Sequence, residues 1–221
     1  MLADTPDLYY RPPLEPLSIV HRDDDILVLN KPSGLLSVPG RDPALFDSLV
    51  TRVRMEFPQA FPVNRLDKDT SGLVLMALNK KSHSVIGTQF EKRTTKKLYT
   101  AIVWGNVEQD EGLVDLPLAL DIAKKPRHRV DFENGKPSQT QWKVLERIAP
   151  LSTRLHLIPL TGRTHQLRVH MKALGHPILG DAFYAEGDAL AAAPRLLLHA
   201  EELAFTHPNG KDVIYTVPCP F

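Results

Sequence analysis

Two short stretches carry side chains that could do chemistry together. In "VNRLDKDTSG", residues 63–72, Arg65 and Asp67 are two apart. In an extended chain both project to one side while Leu66 points inward, which would stand a carboxylate on a strand edge at a cleft wall; Thr70, Ser71 and Gly72 then supply a turn. The plainer alternative is a surface ion pair beside a turn, worth about 0–1 kcal/mol. In "TGRTHQLRVH", residues 161–170, Arg163, His165, Arg168 and His170 crowd a loop-to-helix junction. Arg168 falls about one helical turn from His165 and about 100° from the stripe residue Leu167. An arginine flanking a buried stripe needs a partner. Its planar fork matches a carboxylate, so Asp67 is an attractive partner, held ionised for work as a nucleophile or base. An amphipathic helix with snorkelling basic residues is the alternative.

Other chemistries fit less well. His165 and His170 are five apart, not on one helical face, and no cysteine or acidic ligand accompanies them, so no metal is expected. No Gly-x-Ser-x-Gly elbow occurs, and "KPSGLLSVPG", residues 31–40, matches neither nucleotide-loop fingerprint. Asp67 and Asp69 share a face in an extended chain, about 6–7 Å apart, which keeps a glycosidic-bond hydrolase open as an alternative.

Elements with the right periodicity surround these stretches. "LSIVHRDDDILVLNKPSG" reads as a hairpin around an Asp-rich turn. "PALFDSLVTRVRMEF" spaces Leu45, Leu49, Val53 and Phe57 as an amphipathic helix, and residues 80–92 read as a second helix with Val85, Ile86 and Phe90 inward. "LVLMAL", residues 73–78, is a buried strand. "KKLYTAIVWGNV" alternates strictly, with Tyr99, Ala101, Val103 and Gly105 on one face. Further strands are expected at 138–147, 152–159, 196–205 and 212–217. Residues 164–175 read as a helix with Thr164 as N-cap, Leu167, Met171 and Leu174 as its stripe and Gly175 just past its end. Strands with interspersed helices and no regular βαβ alternation predict an α+β domain on a mixed, mostly antiparallel sheet.

Composition narrows the class. The chain has 221 residues, 43% hydrophobic and 24% charged, enough for one core. Residues 1–16 read as an irregular lead-in and 17–221 as a single catalytic domain. The lone cysteine, Cys219, excludes an internal disulfide and suits a reducing cytoplasm. The N-terminal stretch has no apolar signal region, and no run approaches 18 apolar residues, so export and membrane insertion are not expected. Twenty-seven basic against 26 acidic residues decide nothing by themselves. The basic clusters "EKRTTKK" (91–97) and "AKKPRHR" (123–129) permit a one-sided positive face for phosphates, although solvated loops would read the same way. No long apolar heptad or other assembly element appears, so a monomer is expected.

Taken together, "KPSGLLSVPG", "RLDKDTSG", "KKLYTAIVWG", "TGRTHQLRVHMKALGHPILGD" and "LLLHA" resemble, in order and spacing, the RluA family of RNA pseudouridine synthases. The resemblance runs from about residue 16 to the end. It is strongest to short members without an N-terminal S4 domain, which act on structured loops in 23S ribosomal RNA and tRNA. It implies the pseudouridine synthase fold, isomerisation of a uridine in 23S ribosomal RNA, in the tRNA anticodon arm or in both, and no cofactor or metal. The catalytic aspartate falls on Asp67, the active-site tyrosine on Tyr99 and the aspartate's arginine partner on Arg168. Arg65 matches the residue that occupies the space left by the extruded base. One departure is Asn64, where many relatives have histidine, which bears on the local RNA contact.

The implied reaction detaches the base from ribose C1′, turns it and rejoins it through C5, without redox change. Tyr99 would shape the pocket and assist loss of the C5 proton. The target base must be flipped from its stack, at a cost of a few kcal/mol, which Arg65 would offset. Lys96 and Lys125 in the basic clusters, with Lys31, Asn64, Arg163 and His165, are the expected RNA contacts. A non-catalytic RNA-binding module that has kept the fold is a further alternative.

Overall fold

The computed structural model describes residues 10–221, so residues 1–9 of the expected lead-in lie outside the described residues. The first apolar runs fold as the expected hairpin, β1 (Ser18–Arg22) antiparallel to β2 (Ile26–Lys31). Asp23 fixes its turn, accepting the N–H groups of Asp25 and Ile26 at 2.8 Å each. Ser48 then caps α1 (Leu49–Glu56) in a reciprocal arrangement with Thr51. This helix is shorter than the periodicity suggests, because Leu45 belongs to a separate 3-10 turn, Pro43–Leu45.

Next come β3 (Phe61–Pro62), β4 (Ser71–Ala77), α2 (Lys80–Lys92) and β5 (Lys96–Trp104). Three short strands follow, β6 (Glu111–Asp115), β7 (Leu118–Leu120) and β8 (His128–Val130). The chain continues through β9 (Gln139–Ile148), β10 (Ser152–Pro159), α3 (Gln166–Ala173) and α4 (Gly187–Ala191). It closes with β11 (Leu198–Thr206) and β12 (Asp212–Thr216).

Ten strands form one sheet, in the order β1-β2-β4-β11-β5-β10-β9-β6, with β12 added beside β11 and β3 beside β4; β7 and β8 make a separate ribbon. β11 and β4 pair in parallel, and the other pairs of the sheet are antiparallel, which makes the α+β architecture mixed and mostly antiparallel. The parallel contact joins the two halves through His199–Ser71 and Ala200–Gly72. Only glycine fits there: Gly72 has φ +112°, and a Cβ would stand 2.2 Å from the Ala200 carbonyl oxygen.

Strand alternation divides the core. Leu27, Leu29, Val74 and Met76 pack under Leu49 and Val53 of α1, whereas Ile26, Val28, Leu73 and Leu75 pack with Ile86 of α2 on the opposite face. In the other half Ala101, Val103, Leu155 and Leu157 receive Leu167 and Met171 of α3. Tyr99 touches both the α1 cluster and the α3 cluster, so it stands where the halves meet.

Several local expectations change. Val85 is 40% exposed, because α2 is turned so that Ser82 and Ile86, one turn apart, face inward. The α3 cap is His165, at φ +56° and without a side-chain capping bond, not Thr164. Arg65 and Asp67 lie in the loop between β3 and β4 rather than on a strand edge, and the turn is Asp67–Thr70, since Ser71 and Gly72 already belong to β4.

Candidate active site

The loop carrying Asp67 is held from behind at three points. Leu66 is buried, and the Ser37 hydroxyl both accepts its N–H at 3.0 Å and donates to its carbonyl at 2.6 Å. Gly34 N–H donates to the Lys68 carbonyl, and Ser33 Oγ donates to the Asp69 carbonyl at 2.7 Å. Lys31 Nζ binds the carbonyls of Pro32, Leu35 and Lys68 at 2.7–2.9 Å. A loop with this many fixed carbonyls presents its side chain in one orientation.

Lys31 therefore corrects an expectation. Its exposure is 0%, and all three ammonium protons are directed at backbone carbonyls, so it cannot be an RNA contact. Burial pushes its pKa down to about 7, against the pull of Asp69 and Asp67. Asn64 is also committed internally: its side-chain oxygen accepts Leu75 N–H at 2.8 Å, continuing the pairing begun by Val63 N–H with the Leu75 carbonyl. It still borders the cavity, at a residue that the fold needs in place.

The opposite wall is the start of α3. Gln166 ties it down, its carbonyl oxygen accepting from Thr161 Oγ1 and Arg163 N–H, and its amide donating to the Gln139 carbonyl and Thr140 Oγ1. Arg168, 3% exposed, sends Nη1 across to Asp67 Oδ2 at 3.2 Å. The expected pair forms, but not through the guanidinium fork. Nε and Nη2 instead grip the fully buried Asp181 at 2.8 and 2.7 Å. The Arg168 plane also lies 5.1 Å from the ring centres of Phe183 and Tyr184. Burial alone would lower the Arg168 pKa; hydrogen bonds to Asp181 and the charges of Asp181 and Asp67 outweigh it and hold the cation above its ordinary range.

His165 Nε2 stands 3.8 Å from the same Asp67 oxygen, and its Nδ1 meets Tyr184 Oη at 2.7 Å. Burial lowers its pKa to about 4, with the Arg168 charge adding to burial and the Asp67 charge opposing it, so the ring is neutral at pH 7. Burial, and then the Asp67 charge, raise the Tyr99 pKa well above its ordinary value, which keeps its phenol protonated. A cavity of about 300 Å³ connects these groups and is lined by Arg65, Asp67, Tyr99, Arg163, His165 and Arg168 among others. Arg65 is exposed at its edge.

The arrangement suits work on one bond of a bound neutral ring. Asp67 is the one acid in the lining among the described residues. Asp69, the second carboxylate that a paired-acid hydrolase would need, is absent from it, so that alternative lacks its partner. Among the described residues no group of three or more His, Cys, Asp or Glu side chains could hold a metal ion. Lys96 is exposed and lines a neighbouring cavity rather than this one. Lys125 is exposed in the turn between β7 and β8 and lines neither cavity. Two residues on, Arg127 lies over the Phe183 ring that Arg168 also touches.

Asp181, Tyr184 and Gln166 are site-building residues that the sequence reading did not single out. A signal for Asp181 exists in "GHPILGD", the end of the helix motif, since a buried arginine needs a full carboxylate of its own.

Comparison with known proteins places this geometry. A family model described as RNA pseudouridylate synthase matches residues 25–173. The chain is 53% identical over 214 residues to the dual-specificity RNA pseudouridine synthase RluA of Salmonella typhi, covering 96% of this chain and 98% of that protein. The same identity and coverage hold for the Escherichia coli K12 protein of that name, and 54% identity over 204 residues for that of Pasteurella multocida, with 92% and 93% covered. Among solved structures, human RNA pseudouridylate synthase domain containing 1 superposes with TM-score 0.81 at 32% identity, over 96% of this chain and 86% of that one. A second human protein, RNA pseudouridylate synthase domain containing 4, shares the fold with TM-score 0.75 at 24% identity, over 92% and 88%. With its Asp67–Arg168 pair and Tyr99 lining one cavity and these relatives matched along nearly their whole length, the chain belongs to the RNA pseudouridylate synthase family.

Proposed function

We propose that this RNA pseudouridine synthase isomerises loop uridines in both 23S ribosomal RNA and the tRNA anticodon arm, as a cytoplasmic monomer, with Asp67 as its catalytic carboxylate. The activity class follows from family membership. The dual substrate is supported by relatives titled dual-specificity that match 96% of this chain.

The observation that carries the residue assignment is that, among the described residues, Asp67 is the single carboxylate in the cavity. Asp67 Oδ2 is engaged by Arg168, while Oδ1 has no hydrogen-bond partner among the described residues. One oxygen is thus fixed and the other is left for the ribose. The reaction breaks the C1′–N1 bond, forms a C1′–C5 bond, moves a proton off C5 and leaves one on N1, so product and substrate are isomers. Asp67 assists the departure of the base from C1′, and Arg168, held in place by Asp181, stabilises the Asp67 charge. Tyr99, protonated and lining the same cavity as Asp67, positions the detached ring and takes part in proton transfer at C5 through its hydroxyl. Arg65, exposed at the rim, fills the vacancy in the RNA stack, with Arg163 beside it. Loops are the cheaper substrates because their bases are already unstacked in part.

Tritium release from RNA labelled at uridine C5 tests this directly. Wild type should release tritium from an anticodon arm and from a 23S hairpin, and Asp67→Ala from neither. Equal release by the two proteins would remove Asp67 from the mechanism, and release from one RNA alone would reduce the dual specificity to a single substrate.

A further inference from the structure

A second cavity, about 370 Å³, adjoins the one that holds Asp67 and shares Lys97 and Pro159 with it. Both volumes lie in the range of small-molecule sites, about 300–1,000 Å³. The second cavity is aliphatic at Leu98, Ile158 and Leu160 and cationic at Arg93, Lys96 and Lys97. Glu202 is the one carboxylate in its lining, and no ion pair joins it to any of the three cations among the described residues. The lining therefore carries a positive excess, three cations against the one Glu202 carboxylate.

Two details indicate that the cations are placed for a ligand. Lys97 is half-buried, and its pKa is pushed down first by burial and then by the charge of Arg93, with no carboxylate opposing. The half-buried Lys97 ammonium and the exposed Arg93 guanidinium repel each other, and an anion between them relieves the repulsion. Arg93 also closes α2 in the left-handed region, at φ +59°, donating its N–H to the carbonyls of Gln89 and Phe90. Glycine serves this position without strain, whereas a residue with a side chain costs about 1–2 kcal/mol there. Arg93 takes on this strain and lines the cavity. Leu160, 38% exposed, offers an apolar surface beside it.

We propose that the second cavity is a nucleotide subsite, holding the RNA residue adjacent to the reactive uridine, with its phosphate between Arg93 and Lys97 and its base against Leu98, Ile158 and Leu160. The inference rests on the first cavity being the uridine pocket. Because Lys97 and Pro159 belong to both linings, one strand occupies the two cavities in consecutive steps. An adjacent nucleotide brings one phosphate and one planar apolar face, which are the two surfaces on offer. The subsite would also select for loops, since a paired strand cannot splay two successive residues into separate cavities.

The test is a cycle between protein and RNA charge. Anticodon-arm RNAs, each carrying one neutral methylphosphonate at a single phosphate within three nucleotides of the reactive uridine, are titrated against wild type, Arg93→Gln, Lys97→Met and the charge-retaining Arg93→Lys. Arg93→Gln and Lys97→Met should bind unmodified RNA about five- to tenfold more weakly. Their log Kd against log salt should be shallower by about 0.7, the loss of one single-strand phosphate contact. Arg93→Lys should restore both. At one phosphate, and only one, the methylphosphonate should weaken wild type but add nothing in Arg93→Gln. Wild-type affinity in the variants, or additive losses at every phosphate, would overturn the subsite while wild type still releases tritium. Absence of tritium release by wild type itself would instead mark failure of the uridine-pocket reading, and the subsite would fall with it.

Discussion

Arg168 gives the two-pronged side of its guanidinium to Asp181, at 2.7 and 2.8 Å, and a single N–H to Asp67 at 3.2 Å. The two carboxylates thus have different tasks. Asp181, with no exposed surface and with the N–H groups of Phe183 and Tyr184 also directed at its Oδ1, anchors the arginine. Asp67 keeps one oxygen without a hydrogen-bond partner among the described residues.

Removal of that anchor should damage the fold before the chemistry. In Asp181→Ala the guanidinium of Arg168 remains buried without its main counter-charge, and loss of one partner of a buried pair costs about 3–5 kcal/mol. Urea denaturation should show a midpoint lowered accordingly. A wild-type midpoint would mean that Asp67 alone suffices to hold Arg168.

Asp67→Asn should behave in the opposite way. The side chain is partly exposed and shaped like the original, so stability should stay within about 1 kcal/mol of wild type. Tritium release should fall by about 10²–10⁴-fold, the scale of a lost catalytic proton-transfer or nucleophilic group. Activity within tenfold of wild type would be incompatible with the assigned role.

Lys31→Met separates a structural lysine from an RNA-binding one. The aliphatic stem is replaced, but the Pro32 and Leu35 carbonyls lose their donor, at about 1–3 kcal/mol for groups left unsatisfied, while the Lys68 carbonyl keeps the Gly34 N–H. Thermal unfolding should therefore shift down. The salt dependence of RNA binding, measured where the variant is folded, should match wild type, because a fully buried ammonium contacts no phosphate.

His165 sets a pH window. Unfolded, its imidazole takes up a proton near its ordinary value of 6.5, whereas in the fold burial delays uptake to about 4. Between these values the unfolded state binds more protons, so this residue's contribution to stability is complete above pH 6.5 and is lost as pH falls toward 4. The full effect is on the order of 2–4 kcal/mol. Unfolding free energies at pH 7 and pH 4.5 should differ less in His165→Gln than in wild type; identical differences would show that His165 does not carry this dependence.

Tyr99→Phe should leave unfolding unchanged within about 0.5 kcal/mol, since no protein hydrogen bond of its hydroxyl is present among the described residues, while turnover drops. With the phenol held well above its ordinary pKa, wild-type activity should show no alkaline decline from this group below pH 10. A basic limb near pH 9 that vanishes in Tyr99→Phe would refute this.

Elements with long, regular alternation were legible from residue order alone. β5, with Tyr99 and Ala101 on one face and Ile102 on the other, and the buried β4 follow the expected pattern. β6, β7 and β8 were not legible, being only three to five residues long and stabilised by pairing with distant or ribbon partners instead of by their own periodicity. Val85 and Ile86 are adjacent in a helix and equally apolar, so local pattern could not tell which one α2 turns inward.

The chain's own order of residues determined which side chains the site has to work with: an Arg-Leu-Asp loop, a tyrosine on the small-residue face of a strand, and an arginine beside a helix stripe. Their partners were a matter of tertiary structure. Arg168 and Asp67 meet across 101 positions, and Lys31 reaches Lys68 across 37, separations at which no local rule operates. Burial then settled the outcome, because a charge removed from water must find donors or acceptors wherever the packed chain supplies them. That is why Lys31 turns inward to three carbonyls, and why Arg168 spends its fork on Asp181 and gives Asp67 a single N–H.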